Sequence, residues 1–277
     1  MIKNTFTHIK GIGKKVEQLL WEHNLHSWDD FLEADSHPVS AAKVKFIFEE
    51  LKRSKKAVLE DQPTFFSEQM VSKNHWRLFK EFQSSSAFID IETTGLDIRY
   101  SNITTIVLYD GKNIKHYVNG INLFDFVPEV NKYKLLISYN GKTFDLPFLE
   151  NKFCRKFNHA HIDLRYVLNS LGFLGGLKSC EQQLGLFRNE LEGMDGYFAV
   201  VLWTEYKRRK NQKALETLLA YNMEDVINLE FLMHKAYNLK LENTPFEKTH
   251  ALKIPSRPKV PFKPDMELVK TLLQRMY

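Results

Sequence analysis

The middle of the chain carries short runs of β-branched and aromatic residues that predict β-strands. Three come first, in "AFIDIE" from residue 87, "ITTIVLYD" from residue 103 and "NIKHYV" from residue 113. Asp110 and Gly111 predict a hairpin between the last two. A fourth run, "LLISY" at 135–139, and a fifth in "HIDLRYVL" from residue 161 are interleaved with predicted helices. This order predicts an α/β fold with a mixed central sheet flanked by helices.

Apolar residues at helical spacing dominate the two ends of the chain. "KKVEQLLWEHN" and "SAAKVKFIFEELKRSKKAVLED" predict a small all-helical module at 1–60. Residues 61–86 are predicted to be a connector that contains one helix. The α/β domain then covers 87–242, and 243–277 is a basic, proline-containing tail, predicted to be extended and solvated, with a terminal helix in "MELVKTLLQRMY".

Composition excludes several classes of protein. Apolar residues make up 43% and charged residues 26% of the 277 positions, with a formal charge of +5, as in an ordinary globular protein. The two cysteines, Cys154 and Cys180, form no metal-binding motif, so a disulfide framework or a zinc site is not expected. No apolar run has the length of a signal sequence or a membrane span, and a cytoplasmic location without a membrane partner is expected.

Two carboxylates interrupt the first predicted strand. In "FIDIETTG", Asp90 and Glu92 are two residues apart, so they point to the same face of the strand. Like charges held this close repel each other and raise each other's pKa unless a cation lies between them. The strand therefore predicts a cation site.

Two further carboxylates occur where they could converge on this pair. Asp145, in "SYNGKTFDLPF", follows a buried-looking strand, at the edge of the sheet where α/β folds place ligand groups. It could equally be the N-cap of the next helix. Asp225 lies on the predicted apolar face of a long helix, where a carboxylate is costly to bury unless it is paired or bound to a metal. Tyr221 lies one turn earlier on that face.

These four acids, without any histidine or cysteine among them, form a set of oxygen ligands. Hard cations such as Mg²⁺ or Mn²⁺ prefer such ligands. Paired metal ions of this kind stabilise the attacking and leaving oxygens of a displacement at phosphorus. The residues therefore indicate hydrolysis of phosphodiesters.

Three motifs, "DIETTG", "YNGKTFD" and "YNMED", resemble in order and spacing the exonuclease motifs of the DEDD superfamily of 3′–5′ exonucleases, which have a ribonuclease H-like fold. The middle motif is similar to that of the proofreading domain of family B DNA polymerases. The stretch from residue 87 to the end of the long helix resembles the stand-alone YprB-type predicted exonucleases.

The resemblance implies a role for each matching residue. Asp90 and Glu92 would bind the metals, Asp145 would complete the side of the second metal, and Asp225 would bind from the last helix. The cofactors would be two divalent cations, Mg²⁺ or Mn²⁺. The position five residues before Asp225 is alanine instead of histidine. Tyr221 therefore places the chain in the tyrosine subclass, in which the hydroxyl orients the attacking water.

A second set of residues is expected to contact the nucleic acid. Near the cleft these are Thr93, Asn140 and Phe144, although Asn140 has an equally good explanation as a turn residue. At the N-terminus, "KGIGKK" resembles a helix-hairpin-helix element, in which glycines and helix amides approach the phosphate backbone. The alternative is a tight turn that buries Ile12 and Trp28. The N-terminal residues expected to bind are Lys10, Gly11, Gly13, Lys14 and Lys15.

The sequence thus predicts a metal-dependent 3′–5′ exonuclease with a two-metal-ion mechanism. DNA is favoured over RNA as the partner, and DNA repair is the expected context. Two alternatives stay open, a structure-specific endonuclease on the same fold and a catalytically silent scaffold that binds nucleic acid.

Overall fold

A computed structural model describes residues 1–187, 194 and 196–275 of the chain. Within these residues five strands form one sheet, and the predicted α/β class is confirmed. The strands are β1 (Ser86–Thr93), β2 (Ile103–Tyr109), β3 (Ile114–Val118), β4 (Leu135–Ser138) and β5 (Ala160–Asp163). Their order in the sheet is β3-β2-β1-β4-β5.

The sheet is mixed, as predicted. β1 pairs antiparallel with β2 and parallel with β4, β2 pairs antiparallel with β3, and β4 pairs parallel with β5. The carboxyl ends of β1, β4 and β5 therefore meet at one edge of the sheet, where ligand groups collect in α/β folds. The predicted hairpin between β2 and β3 is present, with Gly111 at a φ of 84° and the Asp110 carboxylate accepting the amides of Lys112 and Asn113.

Thirteen α-helices surround the sheet in the described ranges, and none of them is both long and apolar enough to cross a membrane. Before β1 lie α1 (Lys14–Glu22), α2 (Trp28–Glu33), α3 (Ala41–Leu59), α4 (Pro63–Ser67) and α5 (Phe79–Phe82). Between strands lie α6 (Phe126–Val130) and α7 (Asp145–Phe153). After β5 lie α8 (Leu164–Asn169), α9 (Leu177–Gln183), α10 (Gly196–Arg209), α11 (Gln212–Leu241), α12 (Glu247–His250) and α13 (Met266–Gln274).

The two faces of β1 belong to different parts of the core. Ile89 and Ile91 pack with the cluster that contains Phe126 and Leu149, from α6 and α7. Phe88 packs on the opposite face, in the cluster that contains buried residues of α11. Because side chains alternate along a strand, every second residue after Phe88 also points toward α11.

The N-terminal module is helical, as predicted, but its glycine turn follows only a short 3-10 helix, Ile2–Asn4. Gly11 has a φ of 81° and Gly13 occupies the N-cap position of α1. Ile12 and Trp28 are buried, as the tight-turn alternative expects. The helix-hairpin-helix assignment and the domain boundaries stay predictions.

A buried ion pair fastens this module to the residues before the sheet. Arg77 Nη2 lies 2.8 Å from Glu17 Oε2, and both side chains are at most 10% exposed. Glu17 Oε1 also accepts the amide of Phe6 at 2.9 Å and the hydroxyl of Thr5. Since a buried charge is costly unless it is paired, this cluster fixes where α1 lies against the rest of the core.

The tail is extended, as predicted, but it is not fully solvated, because it runs along α11. Leu252 exchanges two hydrogen bonds with the Asn238 side chain, both at 2.8 Å, and the Lys253 carbonyl lies 2.8 Å from His234 Nδ1. Further along, the Asp265 amide donates to Thr217 Oγ1 at 3.0 Å. The helix α13 then packs with α10 and α11 through Val269 and Leu272.

The buried His8 gives stability a pH dependence. Burial lowers the pKa of His8 to about 3, so the folded protein keeps it neutral. An unfolded histidine takes up a proton near pH 6.5, so stability is full above that pH and falls as the pH drops toward 3. His8→Gln is expected to reduce this slope by about 1.4 kcal/mol per pH unit in that window.

Urea unfolding at pH 7, 6 and 5 measures this slope. Ser54→Ala is the control, because it removes the 2.8 Å partner of His8 Nε2 but keeps the imidazole buried. This variant should retain the wild-type slope. Equal slopes for His8→Gln and the wild type would contradict the assignment.

Candidate active site

Asp90 and Glu92 lie near the carboxyl end of β1, on the face that points toward α11. Across the antiparallel pair they stand opposite Val107 and Thr105 of β2. The register shifts between Glu92 and Thr93, so the regular pairing ends beside the second carboxylate. Asp90 is half-buried and Glu92 is 8% exposed.

The helix α11 crosses the sheet over β1 and β2 and brings a third carboxylate to this point. One carboxylate oxygen from each of Asp90, Glu92 and Asp225 lies within 4.8 Å of the others. Asp225 is 6% exposed, so little solvent screens the group. The two acids of β1 and the acid of α11 therefore lie close together.

An amide fixes the first of these acids to the helix. Asn222 Nδ2 donates to Asp90 Oδ2 at 2.6 Å, and Asn222 Oδ1 accepts from Thr105 Oγ1 at 3.0 Å. Asn222 is completely buried. It lies three residues before Asp225, so the two side chains share a helix face. The helical spacing is the signal by which sequence reasoning could have found this residue.

Asp145 is not among the three acids whose oxygens lie within 4.8 Å of one another. It is the first residue of α7 and is 2% exposed. Burial raises the pKa of its carboxyl to about 7, and the charge of Asp163 acts in the same direction, while the amides of Asp145 and Ile91 oppose them. Its Oδ1 has no hydrogen-bond partner among the described residues. Asp145 is thus a buried acid beside β1 with one oxygen that a ligand could use.

Tyr221 lies one turn before Asp225 on α11, as predicted, and is 3% exposed. Lys178 of α9 stands over its ring, with Nζ 4.8 Å from the ring centroid. A lysine ammonium above an aromatic face is attracted by the ring quadrupole. Lys178 therefore packs against Tyr221, and the sequence contains no periodicity that would have indicated the pair.

The loop after β4 is organised by Asp163, at the end of the neighbouring strand. Its carboxylate accepts the amides of Asn140 at 2.8 Å, Lys142 at 3.1 Å and Arg165 at 3.0 Å. Asp163 is completely buried, and burial raises its pKa while these amides oppose the shift. The buried carboxylate of Asp163 therefore fixes the backbone of this loop.

The residues expected to contact nucleic acid near the cleft lie around this edge. Asn140 has a φ of 64°, which asparagine tolerates, and its Oδ1 accepts from Arg165 Nη1 at 2.6 Å and Thr143 Oγ1 at 2.7 Å. Thr93 is buried at the end of β1, and its hydroxyl donates to the Gly95 carbonyl at 2.6 Å. Phe144, partly buried at the N-cap of α7, packs on Phe148.

The residues predicted to bind at the N-terminus lie in another part of the molecule. The side chains of Lys10, Lys14 and Lys15 are exposed around the glycine turn. Lys14 lines a cavity that also contains Lys240, near the end of α11. Asp225 lies much earlier in the same helix, and Asp90 and Glu92 lie on β1. These residues therefore do not join the carboxylates in one site.

The donors present fit a hard divalent cation. The three clustered acids offer only oxygen atoms and lie close enough for their oxygens to share one ion, and Asp145 has a further buried oxygen beside β1. Without a cation, three charges this close in a poorly solvated cleft repel each other. Mg²⁺ and Mn²⁺ both prefer oxygen ligands of this kind.

A comparison with protein families identifies the superfamily of the chain. A family model described as RNase_H_2, of the RNase_H superfamily, matches residues 87–237. This match confirms the predicted ribonuclease H-like fold. No curated protein sequence matches the chain.

Among solved structures, the chain is similar to the family B DNA polymerase from the hyperthermophilic archaeon Pyrobaculum calidifontis. The TM-score is 0.41 and the sequence identity 15%, over 61% of this chain. The similar region spans 27% of the polymerase chain.

Divalent cations are expected to stabilise the fold through the carboxylates. A cation at about a hundred times its dissociation constant adds about 2.7 kcal/mol to the free energy of unfolding. Thermal unfolding with and without Mn²⁺ measures the gain, which Asp225→Asn should abolish. Glu216→Gln, on the same helix but hydrogen-bonded to Gln212, should keep it. A full gain in Asp225→Asn would rule out cation binding by this cluster.

Gly141 is expected to be required for the loop after β4. An added Cβ would lie 2.0 Å from Ser138 Oγ and 3.2 Å from His161 Cε1. Gly141→Ala should therefore lower the free energy of unfolding by about 1–3 kcal/mol, measured in urea. Combining it with Ser138→Gly should cost less than the two single changes together, since the overlap with the Ser138 side chain is gone.

Gly196→Ala serves as the control for this experiment. An added Cβ at Gly196 meets no described atom within 4 Å, and it should not destabilise the protein. Strict additivity of Ser138→Gly and Gly141→Ala would contradict the clash.

Proposed function

Because the chain belongs to the RNase_H superfamily, we propose that it is a metal-dependent 3′–5′ exonuclease that hydrolyses the phosphodiester bonds of nucleic acid. Superfamily membership supports a nuclease activity and a nucleic-acid substrate. The observation that carries the proposal is the cluster of Asp90, Glu92 and Asp225, whose oxygens lie within 4.8 Å of one another. DNA is the proposed polymer, in the context of repair.

The four acids are the proposed ligands of two divalent cations, Mg²⁺ or Mn²⁺. Asp90, Glu92 and Asp225 form the shared part of the site, and Asp145 supplies the additional buried oxygen. When bound, such ions stabilise the charge that develops on the attacking and leaving oxygens of an in-line displacement at phosphorus. Asn222 holds the Asp90 carboxylate in place through its 2.6 Å hydrogen bond.

Tyr221 is the proposed group that orients the attacking water. Its place one helical turn before Asp225 puts it on the same face of α11, and Lys178 packs against its ring. Precise orientation of a nucleophile removes much of the entropic part of a barrier. Tyr221 needs no change of protonation for this role.

Two surfaces are proposed to contact the polymer. Thr93, Asn140 and Phe144 border the cleft and would hold the strand end. The N-terminal turn, with its exposed backbone at Gly11 and Gly13 and the neighbouring lysines, would bind phosphates without reading sequence. Contacts of the second kind give affinity that depends strongly on salt.

An exonuclease assay with end-labelled single-stranded and duplex oligonucleotides of DNA and RNA tests the proposal. With Mg²⁺ or Mn²⁺, nucleotides should be released stepwise from the 3′ end, and EDTA should stop the reaction. Asp90→Ala and Asp225→Ala should lower kcat about 10³-fold or more, because they remove metal ligands worth several kcal/mol. Tyr221→Phe should lower kcat about 10²-fold.

Glu216→Gln is the matched control, and it should retain wild-type kcat. A circular single strand distinguishes the cuts, since only an endonuclease can open it. Wild-type kcat in Asp90→Ala would contradict the proposed site, and cleavage of the circle would replace the exonuclease by an endonuclease. Cation binding without hydrolysis of any substrate would favour a silent scaffold.

A further inference from the structure

A cavity of about 710 Å³ lies between α1 and the end of α11, away from the carboxylates. Lys14, Gln18 and Trp21 line it from α1, and Lys240 lines it from α11. Arg77 contributes the floor, where Glu17 neutralises its charge. Two acids, Glu22 and Glu242, also stand in the lining. Its size is that of a pocket for a small organic ligand or one unit of a polymer.

Two lysines, Lys14 and Lys240, line this cavity, and the charge of a third, Lys73, acts on Lys240. Burial lowers the pKa of Lys240, and nearby positive charges lower it further, on Lys14, Lys73 and Arg77. Lys240 Nζ lies 3.5 Å from the Ser170 carbonyl at the end of α8. Neither Lys14, Lys73 nor Lys240 forms an ion pair with a carboxylate of the described residues. Cations that face one another are costly without an anion.

More cations connect this cavity with the cleft. Lys73 follows Ser72, whose hydroxyl accepts from Lys142 Nζ at 2.8 Å. The amide of Lys142 is held by Asp163, in the loop after β4. Arg165, exposed on α8, donates to the side chain of Asn140 beside the cleft. The basic track, defined as Lys14, Lys240, Lys73, Lys142 and Arg165, therefore runs from the N-terminal module to the carboxylate edge of the sheet.

The acids close to the track offset part of its charge but form no ion pair with it in the described residues. Asp163 lies beneath it, completely buried, and its oxygens accept three backbone amides. Glu22 and Glu242 stand at the far end, at the cavity. The track thus presents five positive side chains, and in the described part of the chain none of them is paired with a carboxylate. A continuous row of cations suits a chain of phosphates.

We propose that the basic track binds the sugar–phosphate backbone of the strand whose 3′ end lies among the carboxylates. This inference rests on the proposed function and adds to it a requirement for substrate length. Fifteen residues of α11 separate Asp225 from Lys240, which is about 22 Å at 1.5 Å per residue. At the stacked rise of 3.4 Å per nucleotide that span corresponds to about seven nucleotides, so a stacked strand of four nucleotides does not reach the cavity.

Fluorescence anisotropy with labelled single-stranded DNA of 4, 8 and 12 nucleotides tests the track. EDTA is present throughout, so that binding is measured without hydrolysis and without cations at the acids. Wild-type affinity should rise steeply between 4 and 8 nucleotides and then level off. The double variant Lys73→Gln and Lys240→Gln should bind the 12-mer about tenfold more weakly and bind the 4-mer like the wild type.

Salt dependence adds a second readout. Each phosphate contact to a single strand contributes about 0.7 to the slope of log K against log salt, so the double variant should lose about 1.4 of that slope. Lys112→Gln with Lys270→Gln is the matched control, because both lysines are exposed outside the track. It removes the same charge and should keep the wild-type slope. Lys14→Gln and Lys73→Gln, at exposed positions, repeat the test singly.

The outcomes distinguish a failure of the basic track from a failure of the proposed nuclease activity. An equal loss in the control and the track variant, or an unchanged slope in the track variant, would overturn the track. If the track holds in binding but no substrate is hydrolysed with Mg²⁺ or Mn²⁺, only the proposed function fails. If both hold, the track variant should raise KM for the 12-mer about tenfold with kcat unchanged, whereas Asp90→Ala lowers kcat.

Discussion

The fold has to hold three carboxylates close together against their mutual repulsion. Asp90, Glu92 and Asp225 place their oxygens within 4.8 Å of one another where little water screens them. Such an arrangement is stable only if the elements that carry the acids are held by other forces. Two of the acids lie on the strand β1, which pairs along both edges, and the third lies on α11. The distance between the acids therefore depends on where α11 lies against the sheet.

Several independent contacts hold α11 in place. Of its 30 residues, 21 are buried, which means that the helix is packed on nearly all sides. Asn222 bonds it to β1 and β2 at the carboxylates. On another side, the tail is bonded along its length, at Asn238, His234 and Thr217. An ion pair between Arg257 of the tail and Glu224 lies next to Asp225 itself. The tail therefore acts as a structural strap on the helix that carries the third acid.

Much of the fold could be predicted because its signals are local. Alternation and turn residues determine the five strands, and the two-residue spacing of Asp90 and Glu92 determines that they share a face. The placement of Asp225 was predicted from an apolar stripe, but α11 is buried on most of its surface, so the stripe described only part of its environment. The need of a buried acid for a partner is the more reliable signal for Asp225, because it depends on burial alone.

The features that could not be predicted depend on contacts between distant parts of the chain. Asp163 organises the loop after β4 only because β4 and β5 are parallel neighbours in register, with Ser138 beside it. The tail was expected to be solvated from its prolines and charges, whereas its carbonyls and amides bond to polar residues of α11, and those polar residues resemble ordinary surface positions in the sequence.

The positions of the acids likewise depend on contacts between distant parts of the chain. Asp145 was expected with the others; it starts a helix on the other face of β1 and is not one of the three clustered acids, so its part in a metal site stays a prediction. Its helix begins on the face of β1 that holds Ile89 and Ile91, whereas the clustered acids face α11. The carboxylates therefore approach the edge of the sheet from two layers of the fold.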